Sequence, residues 1–263
     1  MFQPVLIGPG IAGWEFLKST YDRQFDAFTK SPQLKRDTDY FRENIASVTS
    51  AEDLVQDRRL LSVALGAFGL QDDINNTFFI RKMLEEGTTA EDALANRFTD
   101  SRYRDFSAAF GLGPGELRGN LQSTFADDII QRFEAQSFEV AAGEQDETVR
   151  IALYAQRTLD EVVGGESSER AKWFEIMGTP PLRSLFETAL NLPSEFSQID
   201  LDQQLETFQD RTRAIFGETD PSQFADAEKR EDLITQYVAR SQIAQLSSGF
   251  SSTAIALTLL QGS

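Results

Sequence analysis

Apolar residues recur three and four positions apart along almost the whole chain, and this spacing leaves helix as the main choice. Leu201, Leu205, Phe208 and Ile215 fall on one such stripe, and Leu117, Leu121, Phe125 and Ile129 on another. Side chains so spaced share one helix face, which is buried by packing against other helices. No series of alternating strand patterns and no Asn-Gly or Asp-Gly hairpin turn competes with it. The expected fold is all-α, an irregular multi-helix bundle built from degenerate helix–cap–helix repeats and arranged as two subdomains.

The punctuation fits this reading. Ser50-Ala51-Glu52-Asp53 has a capping hydroxyl and an acid three residues on, and Thr88-Thr89-Ala90-Glu91 is spelled the same way after the stop at Gly87. Pro180 and Pro181 suit the first turn of a helix running to about Leu190, and Pro193 follows its end. Ala67-Phe68-Gly69-Leu70 and Ala109-Phe110-Gly111-Leu112 are identical, and Ala189-Leu190-Asn191-Leu192 is a looser copy. Gly69, Gly111 and Asn191 are the expected caps, since the residue just past a helix often turns left-handed. Duplication of one unit and convergent capping both account for the pattern.

Gly143 to Glu147 interrupts a long helical stretch, and Gly164 to Ser168 reads as an exposed loop. The expected division is a lead-in and helix over 1–30, one helical subdomain over 31–145, a second over 146–246, and an apolar tail over 247–263.

Composition narrows the chemistry. The net charge is −17, so nucleic acid and anionic lipid are disfavoured partners, and a basic protein partner is favoured. Neither Cys nor His occurs, which removes thiolate nucleophiles, imidazole bases, Cys/His zinc sites and disulfides together. No stretch reaches the roughly 18 apolar residues of a membrane-spanning helix. No Lys or Arg precedes Lys18, so the basic region of a secretory signal is missing. Cytoplasmic synthesis is the expectation, with export by a route that needs no cleaved signal left open. The 21 Phe are the expected core anchors, and Trp14 and Trp173 are expected as core or interface anchors rather than cofactor platforms.

Three patterns invite a catalytic or binding reading. Gly8-Pro9-Gly10-Ile11-Ala12-Gly13 spells a dinucleotide fingerprint after the apolar run Val5-Leu6-Ile7. The second strand and the ribose-binding acid expected about 20 residues on are missing, so the segment reads as a Gly-rich lead-in to a helix near Trp14. Acidic pairs occur at Asp72-Asp73, Glu85-Glu86 and Asp127-Asp128, beside predicted caps or on polar faces, where solvated acid is the expectation. Asp57-Arg58-Arg59 and Asp100-Ser101-Arg102-Tyr103 each precede a helix, with the Asp placed to cap it and the Arg to pair with a carboxylate. No catalytic residue, cofactor or metal site is expected.

Five blocks stand out in order along the chain: Asp39-Tyr40-Phe41-Arg42-Glu43-Asn44-Ile45, Asp57 to Leu61 running on to Leu70, Asp100 to Phe106, Gly143-Glu144-Gln145 leading to Tyr154, and Ala189 to Pro193. Together they resemble a bacterial family of unknown function found in alphaproteobacteria. The resemblance covers roughly residues 30 to 245. It implies a helical fold and an association with flagellar genes, and it carries no catalytic residues. The function it implies is that of a flagellum-associated, non-enzymatic interaction or structural protein. The apolar ends of the chain are the candidate partner contacts: Leu6 and Ile7 at one end, and Ile255, Leu257, Leu259 and Leu260 at the other. The alternative is a helical enzyme or small-molecule sensor that uses carboxylate and arginine side chains in a cleft.

Overall fold

A computed structural model describes residues 3–249. Among them the regular structure is helix throughout, with no strand. The α-helices are α1 (Gly10–Thr29), α2 (Pro32–Asn44), α3 (Ala51–Gln56), α4 (Arg58–Ala67), α5 (Thr77–Glu86), α6 (Leu94–Arg97), α7 (Ser101–Phe110), α8 (Phe125–Gly143), α9 (Glu147–Gly164), α10 (Glu169–Gly178), α11 (Pro180–Ala189), α12 (Leu201–Phe216) and α13 (Ala227–Gly249).

The chain forms two compact units. Among the described residues, 3–5 and 20–144 make one, and 6–19 with 145–249 make the other. The first half of α1 belongs to the second unit and its second half to the first.

In the first unit α4 is the central helix, packed on α2, α3 and α8. Seven of its ten residues are buried, from Leu60 to Ala67 with only Ser62 left out of that run. Gly66 allows α8 to come close, because a Cβ there would lie 2.7 Å from the Phe133 ring. Aromatic contacts run from Phe68 through Phe106 and Phe110 to Phe125, and Phe138 is ringed by Tyr21, Phe25 and Phe28. In the second unit α9 is central, in contact with α10, α11, α13 and the short turn Pro221–Ala225. Trp173 lies in its core, stacked on Phe208 and edge-on to Phe186. Each fully buried aromatic of this kind stabilises by about 1.5–3 kcal/mol relative to exposure.

The caps follow local chemistry. Ser50 and Asp53 form a reciprocal capping box at the start of α3. Asp57, Asp100, Asp146, Asp200 and Ser168 each accept a backbone N–H at a helix start. At the helix ends Gly69, Gly111 and Asn191 have φ of 69°, 57° and 54°. Leu70 N–H reaches Leu65 O and Leu192 N–H reaches Glu187 O, the wider hydrogen bond of the Schellman motif. Gly111 N–H instead bonds to Ser107 O alone, the simpler left-handed cap.

Two expected helices differ. Leu117 and Leu121 are 87% and 66% exposed, and α8 begins only at Phe125. Gly119 fits tightly there, since a Cβ would fall 2.1 Å from Ala109 O. Arg118 and Asn120 donate to Val48 O, which holds the segment as a loop. Thr88 starts no helix either. Its N–H and hydroxyl both donate to Glu116, 28 residues away, and the next helix is the short α6. At the C-terminal stripe only Leu205 and Phe208 are buried, while Leu201 and Ile215 are exposed.

Candidate functional site

The dinucleotide spelling has a packing explanation. α1 begins at Gly10, four residues earlier than expected, so Gly10 to Gly13 form its first turn. A Cβ on Gly10 would lie 2.2 Å from Gln242 Oε1, and one on Gly13 would lie 2.3 Å from Gly8 O. These glycines let the chain fold back on itself and let α13 approach α1. Trp14 is fully buried beside them, with its indole N–H donating to Glu231 Oε1 at 3.3 Å, and Lys18 pairs with the same carboxylate at 2.5 Å.

The acidic pairs are engaged in structure. Asp73 accepts from the Tyr103 hydroxyl at 2.5 Å, Asp127 pairs with Arg42 at 3.0 Å, and Glu86 accepts the Leu94 N–H at 2.7 Å. Among the described residues no three His, Cys, Asp or Glu side chains are arranged to hold a metal ion. The two Asp-Arg motifs are tied into the first unit. Arg102 binds Asp100 through two nitrogens and donates to Gly69 O at 2.7 Å, joining the start of α7 to the cap of α4. Asp57 caps α4 while accepting from Tyr40, whose ring lies 3.9 Å beneath the Arg59 guanidinium. Burial opposes ionisation of Asp57, but the Tyr40 hydroxyl and the Leu60 and Arg59 N–H groups outweigh it and hold the carboxyl below its ordinary pKa.

The candidate partner contacts at the N-terminus lie in the second unit. Leu6 is partly buried and Ile7 is 59% exposed. Leu6, Gly8 and Pro9 line a groove of about 560 Å³ with Asp146, Val149 and Gln245. The last described turns of α13 thus lie beside the N-terminal segment, and they expose Ile243 at 63% and Leu246 at 57%. Sequence reasoning left these two out, although their apolar side chains in a Ser- and Gln-rich stretch were the available signal. Ile255, Leu257, Leu259 and Leu260 lie outside the described residues. Among the described residues no helix is long and apolar enough to cross a membrane.

A crystal structure of an Agrobacterium tumefaciens protein matches the fold with a TM-score of 0.74, over 92% of this chain and 99% of that one. The two chains are 24% identical, so the likeness establishes the fold alone. No curated protein matches the sequence. The model of a family described as protein of unknown function, DUF1217, matches residues 67–241, more than half of the chain, and the chain belongs to that family.

Proposed function

We propose that the protein is a non-enzymatic interaction protein that works with components of the flagellar apparatus. The observation that carries the reading is the exposure of Ile7, Ile243 and Leu246 where the N-terminal segment and the end of α13 lie side by side. Exposed apolar side chains on two neighbouring segments favour a protein partner. The chain's charge of −17 adds a preference for a basic one. The flagellar setting is supported by the sequence blocks, from Asp39 to Pro193, that resemble a flagellum-linked family. The capture of Asp57, Asp73, Asp100 and Glu116 by structural partners favours a binding role over a catalytic one.

The test is co-purification from the native cell with the full chain, with Ile243→Ser/Leu246→Ser, and with residues 250–263 deleted. The expected result is a flagellar protein retained by the full chain and lost from the variants at unchanged melting temperature, with swimming impaired. Normal swimming and an unchanged set of co-purified proteins in both variants would exclude the reading.

A further inference from the structure

Two cavities in the first unit run into each other. One, of about 300 Å³, lies among Phe28, Leu34, Phe133, Val140 and Ala141, on α1, α2 and α8. The other, of about 410 Å³, is lined by Arg58, Arg59 and Ile74. Gln33, Asp37, Ser62 and Gln71 line both. The apolar cavity has room for about ten water-sized groups at ~30 Å³ each, at the lower end of the range for small-molecule sites.

Its polar atoms are unusual. Ser31, only 7% exposed, lines it with an Oγ that has no hydrogen-bond partner among the described residues, and Gln71 Oε1 is buried and equally unpartnered among them. Buried polar groups are nearly always paired, so two such atoms on one cavity are placed to bond a polar group that enters it. Between them they offer a hydroxyl donor and a carbonyl acceptor, which a ligand hydroxyl satisfies by accepting from one and donating to the other.

The second cavity supplies charge. Arg58 uses one nitrogen on Asn75 Oδ1 at 3.1 Å and pairs with no carboxylate among the described residues, leaving most of its donors open. Asp37 lies 3.7 Å from Arg59, which offsets its charge, so the balance around this cavity is positive in a strongly acidic chain. Glu144, at the apolar cavity, is exposed to solvent.

We propose that these linked cavities bind a medium-chain hydroxycarboxylate. The hydrocarbon chain lies between Leu34, Phe133 and Val140, the hydroxyl between Ser31 and Gln71, and the carboxylate on Arg58. Gln71 faces both cavities, so the hydroxyl belongs close to the carboxylate, as in a 3-hydroxy acid.

Isothermal titration of the full chain with 3-hydroxydecanoate, decanoate and 1-decanol tests each part. Saturable one-to-one binding of 3-hydroxydecanoate is expected, about tenfold tighter than decanoate, as one added pair of buried hydrogen bonds allows. Arg58→Gln should weaken both acids about tenfold and leave decanol unchanged. Ser137→Trp, introduced at a half-buried position on the cavity wall, should abolish binding of all three. Ser62→Trp, at the exposed position shared by both cavities, should do the same and covers the case in which the first variant does not fold. The proposal fails if the full chain binds no 3-hydroxydecanoate, if binding survives the tryptophan that folds, or if Arg58→Gln leaves the affinity for the acids unchanged. It also fails if decanoate binds as tightly as 3-hydroxydecanoate.

Discussion

Gly111 and Gly115 lie in one loop of one unit, both in left-handed backbone, with φ of 57° and 78°. They differ in what a side chain would meet. Among the described residues nothing lies within 4 Å of a Cβ on Gly115, whereas a Cβ on Gly111 would fall 2.1 Å from the carbonyl oxygen of Leu117. Replacing Gly by Ala in left-handed backbone costs about 1–2 kcal/mol, and the stiffer unfolded chain returns about 0.4–1 kcal/mol. Gly115→Ala should therefore destabilise by about 1 kcal/mol. Gly111→Ala carries the same balance plus an overlap with backbone, which cannot rotate away as a side chain can. Forced repacking of that kind adds about 1–3 kcal/mol, giving a total of about 3 kcal/mol. Gly69→Ala should fall between them, because its nearest neighbour, at 2.9 Å, is the movable amide of Gln136. Urea unfolding followed by far-ultraviolet circular dichroism gives the three midpoints at constant slope. Equal midpoints for Gly111→Ala and Gly115→Ala would show that the Leu117 contact does not constrain the loop and would refute the reasoning.

Glu116 binds the loop 87–89 to residue 113 through Thr88 N–H and hydroxyl and the Gly113 N–H. Burial opposes its ionisation, but these donors prevail and lower its pKa, so its stabilisation is present above the ordinary carboxylate pKa and fades as pH falls through the depressed value. Stability measured from pH 7 down to pH 3 should lose this increment in the native protein and not in Glu116→Gln, which starts lower; parallel curves would count against it. Phe208→Ala removes the stacking partner of Trp173 in a fully buried site and should cost about 3–5 kcal/mol, read from the unfolding curve of tryptophan fluorescence; a loss under 1 kcal/mol would contradict the packing. Ser50→Ala removes one half of the capping box and should cost about 1 kcal/mol in urea unfolding, whereas Ser50→Gly should cost only a few tenths; equal losses would argue against a side-chain cap.

The sequence by itself determined the all-helical class, because amphipathic spacing and capping chemistry are local and act over three to five residues. Ser50 with Asp53, Asp57 before α4 and Pro180 at the start of α11 do in the structure what their neighbours in sequence dictate. The failures were non-local. Thr88 has the spelling of a cap, but Glu116 takes its donors from 28 residues away. Leu117 and Leu121 have helical spacing, but tertiary anchors from Arg118 and Asn120 to Val48 O hold a loop there. The fingerprint at Gly8 to Gly13 became intelligible only with Gln242 packed against Gly10, 232 positions from it in the chain. The cavity around Ser31 and Gln71 draws its wall from residues between Gln3 and Glu144. Which polar atoms remain unpaired there depends on how α1, α2, α4 and α8 pack, and periodicity along one helix holds no information about the distance to the next.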